Sequence, residues 1–280
     1  MILTVVDLVT GALTRSRLHD HEQVVLRSFQ ESLFTPPPIV PGLDIAAGYR
    51  PAIEAVGMGG DWYSIVDTPD AVYAVIGDIA GHGPGAVAVM AEAKTIMRHL
   101  LTNGSTIEDT LQHADRALTR RGVYASAAVV RIDKATGLLR YANAGHPPAL
   151  LFHRDDAGAS TVTALATVHR PWLGVGVALP TATTGDCSQQ VSEHRLGAGD
   201  VLLLYTDGLV EERRETLETS IRQQLYALDV DRPAAVIVDH LLTNRQTHRT
   251  PRSVDDDVAV VVIARTGDTA VTEPVHRPQP

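Results

Sequence analysis

The spacing of apolar and polar positions divides this chain into short strands and a few amphipathic helices. The run from Gly59 to Gly83, G-G-D-W-Y-S-I-V-D-T-P-D-A-V-Y-A-V-I-G-D-I-A-G-H-G, reads as two strands joined by a turn. Thr68, Pro69 and Asp70 are turn formers. Ala71 to Ile76 is a near-continuous apolar run, the pattern of a buried strand. That strand is predicted to stop at Gly77-Asp78, with a glycine-rich loop after it. Further strands are predicted over Leu43–Tyr49, Tyr124–Asp133, Leu138–Asn143, Ala149–His153, Gln189–Leu196, Val201–Tyr205 and Val258–Ile263. Lys134 to Gly137 supplies a hairpin signal.

Apolar residues at helical spacing predict helices over Thr14–Phe34, Pro84–Leu101, Thr106–Arg120, Glu211–Asp229 and Arg232–Leu242. The first shows an apolar face of Val25, Leu26, Phe29 and Leu33 and ends before Pro36-Pro37-Pro38. The second begins with Pro84, suited to a first helical position, and carries the stripe Ala86, Met90, Ala93, Met97, Leu100. Thr106 suits the N-cap of the third. Met1–Leu13 reads as a short strand. Arg154–Ser160 and Thr243–Ser253 read as polar loops, the latter with Arg245, Arg249 and Arg252. The segment 266–280 has no periodicity and is predicted to be disordered. Mostly antiparallel strands with two helix pairs give an α+β class with helices layered on sheet.

Composition narrows the picture. A chain of 280 residues with net charge −9 lacks the basic face of a nucleic-acid-binding protein. No apolar run reaches membrane-spanning length, and no signal-peptide pattern opens the chain. The single cysteine, Cys187, excludes an internal disulfide and suits a reducing compartment. These features predict a cytoplasmic protein.

The candidate chemistry lies at strand ends. Asp61 and Asp78 stand at the two outer ends of the predicted hairpin, which are neighbours in an antiparallel pair. Gly59, Gly60, Gly77, Gly81 and Gly83 let backbone approach closely. An Asp at a strand end is ordinarily a turn former. Here the pattern recurs: Leu202–Tyr205 runs into Thr206-Asp207-Gly208, and Asp255-Asp256-Asp257 precedes Val258–Ile263. Carboxylates converging from several strands suggest a hard cation held by oxygen. His146, in N-A-G-H-P-P, is read as part of a turn that Asn, Gly and Pro form and the histidine holds. Cys187 is not followed by C-x5-R, which argues against a cysteine nucleophile.

Five of these motifs, G-G-D-W-Y, G-D-I-A-G-H-G, N-A-G-H-P-P, L-Y-T-D-G-L-V-E and D-D-V-A-V-V-V-I, carry a resemblance. Their order and spacing are similar to those of bacterial metal-dependent serine/threonine phosphatases of type 2C (PPM). The branch resembled is that of stage II sporulation protein E and the sigma-B regulation phosphatases. The resemblance covers roughly Phe29 to Ala264. It implies a four-layer α-β-β-α sandwich with two central, mostly antiparallel sheets. It divides the chain into an N-terminal strand and linker helix (1–40), a phosphatase domain (41–265) and a disordered tail (266–280).

The same resemblance implies two Mn²⁺ or Mg²⁺ ions and hydrolysis of phosphoserine or phosphothreonine by a metal-activated water. Asp78 matches the acid that bridges the metals, Asp61 and the carbonyl of Ile79 match ligands of one, and Asp207 and Asp256 match ligands of the other. Among Asp255, Asp256 and Asp257, Asp256 best fits the family pattern of an acid, then Asp or Asn, then an apolar residue. His82 lies four residues after Asp78, rather than the two that place a general acid in eukaryotic relatives. The implied substrate is a phosphorylated anti-anti-sigma (STAS-type) protein in a partner-switching pathway that frees a sigma factor. The N-terminal helix is implied as a homodimer contact. The alternative is a catalytically weak regulatory domain that binds a signalling partner.

Overall fold

The computed structural model describes residues 34–51, 59–154, 160–165, 171–176, 191–210, 228–244 and 256–267. The expected N-terminal strand, nearly all of the N-terminal helix, most of the helix over Glu211–Asp229, the basic loop beyond Asn244, Cys187 and most of the tail lie outside them.

In chain order the elements are β1 (Leu43–Arg50), β2 (Trp62–Asp67), β3 (Ala71–Ile79), α1 (Pro84–Thr102), α2 (Ile107–Arg121), β4 (Ala125–Asp133), β5 (Leu138–Ala144), β6 (Leu150–Arg154), β7 (Ser160–Ala164), β8 (Ser192–Arg195), β9 (Val201–Tyr205), α3 (Ala234–Asn244) and β10 (Val258–Arg265). They form two five-stranded sheets, ordered β1-β10-β9-β6-β7 and β2-β3-β4-β5-β8. Every described pairing is antiparallel.

Three apolar layers hold four layers of structure together. The period-2 alternation of β3 and β4 sends Tyr73, Val75, Ala127 and Val129 to one face, where they meet Val87, Met90 and Met97 of α1 and Leu111 and Leu118 of α2. Val72, Ala74, Ile76, Ala128 and Val130 face the other way and pack on Leu202, Leu204, Val261 and Ile263 of the first sheet. The outer face of that sheet, with Leu203, Tyr205, Val260 and Val262, is covered by Ile237, Val238 and Leu241 of α3. The expected α-β-β-α sandwich is therefore present. Each fully buried Leu, Val or Met contributes roughly 1.5–3 kcal/mol, and all three layers share in the cohesion.

Local details follow from the residues. Thr106 caps α2, its side chain accepting from the amide of Asp109 at 3.1 Å, and Gly122 ends it at φ 65°. On α1 the buried stripe is Val87, Met90, Ala93, Met97, Leu101. Its first and last members are one residue later than the pattern suggested, because Ala86 and Leu100 lie at the rim. β3 runs three residues past its expected end, since Gly77, Asp78 and Ile79 pair with Ala127, Ser126 and Ala125 of β4. Glycine weakens a strand interior, but here it is required. A Cβ on Gly77 would lie 2.3 Å from the Trp62 ring and 2.6 Å from the Ser126 carbonyl. β7 was missed, its Thr-rich stretch lacking a strong apolar pattern. Leu228 and Asp229, expected to close a helix, are not helical, and α3 begins at Ala234 rather than Arg232.

The turn from β5 to β6 carries the chain from one sheet to the other. Asn143 builds it: its Oδ1 accepts from the amide of His146 and its Nδ2 donates to the His146 carbonyl, both at 2.7 Å. Gly145 takes φ 66°. The His146 ring holds the turn against β4 rather than bonding within the turn itself. It points inward, Nδ1 lying 2.7 Å from Ser126 Oγ, with Nε2 buried and without a hydrogen-bond partner.

Two outcomes are expected. Gly77→Ala should lower stability by about 1–3 kcal/mol, because the opposing backbone leaves no room for a methyl group; an unchanged denaturation midpoint would show that Trp62 and β4 can yield. Burial pushes the His146 imidazole down to about 3, against weak support for the charged form from the Tyr205 backbone. The unfolded chain, titrating near 6.5, binds a proton there that the folded chain refuses. Stability is thus intact above about pH 6.5 and falls toward pH 3, by roughly 1 kcal/mol per pH unit from this group. His146→Gln should flatten that slope in urea titrations at pH 7 and pH 5; a wild-type slope would refute the assignment.

Candidate metal centre

Asp61, Asp78 and Asp207 meet at one end of the two sheets. One carboxylate oxygen from each lies within 4.8 Å of the others. The hairpin delivers the first two: Trp62 pairs with Gly77, so Asp61 and Asp78 flank one rung at the open end. Asp207 comes from the other sheet, where β9 ends in a single 3-10 turn over Asp207–Leu209. Its Oδ1 accepts from the amide of Gly208 at 2.8 Å.

Close backbone approach shapes the floor. The Gly60 carbonyl accepts from the amide of Ile79 at 3.2 Å. A Cβ on Gly60 would stand 2.3 Å from the Ile79 carbonyl oxygen, and one on Gly59 would stand 1.6 Å from Asp257 Oδ2. Both glycines are fixed by contact rather than by an unusual φ. The Ile79 carbonyl therefore lies beside the residue that precedes Asp61.

Electrostatics at this point are strained. Burial, and then the charge of Asp78, hold the Asp61 carboxyl well above the usual range, while a hydrogen bond from Thr206 opposes the rise. Burial and the charges of Asp207 and Asp256 push Asp78 up to about 7. Among the described residues no Lys or Arg forms an ion pair with Asp61 or Asp78. Oxygen donors that destabilise one another in this way call for positive charge, and a site of carboxylates and carbonyls without His or Cys suits Mg²⁺ or Mn²⁺ better than Zn²⁺. The residues present fit such an ion.

The triplet before β10 divides its roles. Asp256 is exposed and contributes charge at Asp78, and its Oδ1 accepts from the amide of Asp257. It lies outside the tightest group of three. Asp257 is buried, and its Oδ2 accepts from the Tyr49 hydroxyl at 2.6 Å. Asp255 lies outside the described residues. His82 is exposed in the loop between β3 and α1.

Sequence reading missed three polar neighbours. Ser126 is the cross-strand partner of Asp78 and holds the His146 ring. Tyr49 anchors Asp257. Thr206 donates to Asp61 Oδ2 at 2.7 Å across the gap between the sheets. A hydroxyl directly before the Asp207-Gly208 pair was the available signal, but its partner is 145 residues away.

A partly buried aromatic cluster is also absent from the sequence reading. Phe34 stacks on Tyr49 at 4.3 Å and lies 5.0 Å from Tyr63, with Lys94 Nζ 4.8 Å from its ring centre. Burial, then the charge of Arg98, lowers Lys94 to about 8.

Known proteins resemble this chain in sequence and in fold. The chain is 25% identical over 255 residues to phosphoserine phosphatase RsbP of Bacillus subtilis, covering 86% of this chain and 57% of RsbP. It thus spans little more than half the length of that relative. A crystal structure of the RsbU and RsbW domains of a Mycobacterium tuberculosis protein superposes with a TM-score of 0.65 at 31% identity, over 83% of this chain and 62% of that one. The PP2C phosphatase domain of SpoIIE from Bacillus subtilis, with a fragment of its regulatory domain, gives 0.64 at 20% identity, over 81% and 64%; at that identity the likeness concerns the fold alone. The family model of stage II sporulation protein E matches residues 68–266. With most of its length under that match, the chain belongs to the stage II sporulation protein E (SpoIIE) family.

Proposed function

We propose that this chain is a metal-dependent protein serine/threonine phosphatase. The observation that carries the reading is the convergence of Asp61, Asp78 and Asp207 within 4.8 Å at the mouth of the two sheets. In this reading Asp78, Asp61 and the Ile79 carbonyl would hold one divalent cation, and Asp78, Asp207 and Asp256 would hold a second. When bound, Mn²⁺ or Mg²⁺ supplies an activated water and neutralises charge on the phosphoryl oxygens. The chain's own residues bind and orient. Asp61 is buried at the back of the site and Asp78 is half-buried beside it. Asp256 is the more exposed acid. Gly59 and Gly60 keep the backbone against the acids so that no side chain fills the space.

A phosphoprotein brings negative charge to a chain of net charge −9, so the reaction depends on cations to offset repulsion. The substrate class we assign is a phosphorylated anti-anti-sigma (STAS-type) protein in a cytoplasmic partner-switching pathway. The kinship with RsbP, named a phosphoserine phosphatase, supports a phosphoserine-bearing substrate. No described helix is long and apolar enough to cross a membrane. The phosphatase domain we assign is 41–265, preceded by a strand and linker helix at 1–40 that mediates homodimer contact, and followed by a tail at 266–280. A regulatory domain of little catalytic power is the competing reading, and assay separates the two.

With Mn²⁺, the purified chain should release phosphate from a phosphorylated STAS-type protein, and EDTA should abolish the release. Asp78→Asn should cost more than the roughly 100-fold that loss of an outer-shell partner costs a metal site, with circular dichroism unchanged. Full activity in that variant would end the two-cation reading. Comparable rates on unrelated phosphoproteins would remove the substrate assignment while leaving the phosphatase.

A further inference from the structure

We infer that Thr206 is a positioning residue that fixes the orientation of Asp61 toward its cation and ties together the two sheets that supply the carboxylates. The inference rests on the reading of Asp61 as a cation ligand. Thr206 is fully buried at the end of β9. Its amide donates to the Ala259 carbonyl at 3.1 Å, continuing the ladder to β10. The amide of Ala259 donates to Thr206 Oγ1 at 2.9 Å. Oγ1 lies 2.7 Å from Asp61 Oδ2 and 3.4 Å from the Ala259 carbonyl.

The direction of this relay is set by counting protons. A threonine hydroxyl has one proton to give and accepts through its lone pairs. The Ala259 amide takes an acceptor position, so the hydroxyl proton remains for an acceptor. The carboxylate is closer and charged, and hydrogen bonds to ionised groups are about twice as strong as neutral ones. The proton therefore goes to Asp61 Oδ2. That leaves Oδ1 as the oxygen with its lone pairs free of the Thr206 contact. Threonine adds stiffness, since its branched Cβ restricts χ1.

The bond also crosses the molecule. Asp61 belongs to the β2 side of the second sheet, and Thr206 to the first. The residue after Thr206 is Asp207, which brings its own carboxylate. One dipeptide thus supplies an acid from one sheet and orients an acid from the other. Pinning β9 on β10 uses the Thr206 amide and, as acceptor, its hydroxyl oxygen, but leaves the hydroxyl proton unassigned. The side-chain bond to Asp61 serves the acid.

The test is isothermal titration of the full chain with Mn²⁺, comparing wild type, Thr206→Val and Thr206→Ser. Valine keeps the shape and removes the hydroxyl; serine keeps the donor. Thr206→Val should bind Mn²⁺ about 10–100-fold more weakly, with Thr206→Ser close to wild type and circular dichroism alike for all three. In turnover, Thr206→Val should raise the Mn²⁺ concentration for half-activity and recover rate at saturating metal. Should Thr206→Val fail to fold, Thr206→Cys, a weak donor of similar size, takes its place with the same expected weakening. Wild-type affinity in the valine variant (or the cysteine one in its place), or equal weakening in the serine variant, overturns the inference. Wild type that binds Mn²⁺ without phosphatase activity overturns the proposed function alone; wild type that binds no Mn²⁺ overturns both.

Discussion

Like charges crowded into a partly buried space are the constraint around which this molecule is arranged. Asp61, Asp78 and Asp207 approach within 4.8 Å, and burial removes the water that would screen them. Left alone, such acids would move apart or take up protons. They are held because each sits at the end of a strand whose remainder is locked in an apolar layer. β3 is buried along nearly its whole length, and β9 entirely. The scaffold spends its cohesion on keeping unfavourable charges together.

The two sheets divide that task. One contributes Asp61 and Asp78 through the single β2–β3 hairpin, whose register places Trp62 opposite Gly77. The other contributes Asp207 and the Asp256-Asp257 pair through β9 and β10, which are hydrogen-bonded neighbours. Two polar ties act here, of which the first joins the two halves. Thr206 reaches from β9 to Asp61, and Ser126 of β4 meets His146 in the turn that carries the chain between the sheets. Both ties lie at the site end of the sandwich. The geometry of the acids is therefore a property of inter-sheet packing as much as of any one motif.

A path of contacts also runs from the start of the described chain toward the acids. Phe34 stacks on Tyr49, and the Tyr49 hydroxyl donates to Asp257, whose charge is felt at Asp61 and Asp78. Lys94 of α1 closes the same cluster from the helical layer. Aromatic stacking of this kind contributes about 0.5–1.5 kcal/mol beyond area burial. The N-terminal side of the domain and the carboxylate site thus share one packed unit.

Much of this was written locally. Apolar patterning marked most strands to within a residue or two, and Thr106 and Pro84 marked where helices begin by local chemistry alone. The acids at strand ends stood out because an apolar run followed by Asp-Gly has a local signature, and the hairpin placed Asp61 beside Asp78 through turn length. The sequence could not show that β3 continues through Gly77 to Ile79, because glycine and aspartate carry no strand preference and the reason lies in pairing with Ser126 and Ala125. It could not separate Asp256 from Asp257: both are acids before the same strand, and only the Tyr49 hydroxyl and the space left by Gly59 bury one and leave the other facing solvent. Nor could it assign Thr206 to Asp61, or turn His146 inward. Local residues determine which backbone conformations and which charges are available. Which of those charges meet, and which hydroxyl steadies them, depends on partners more than a hundred residues apart, brought together only when the two sheets close on their shared apolar layer.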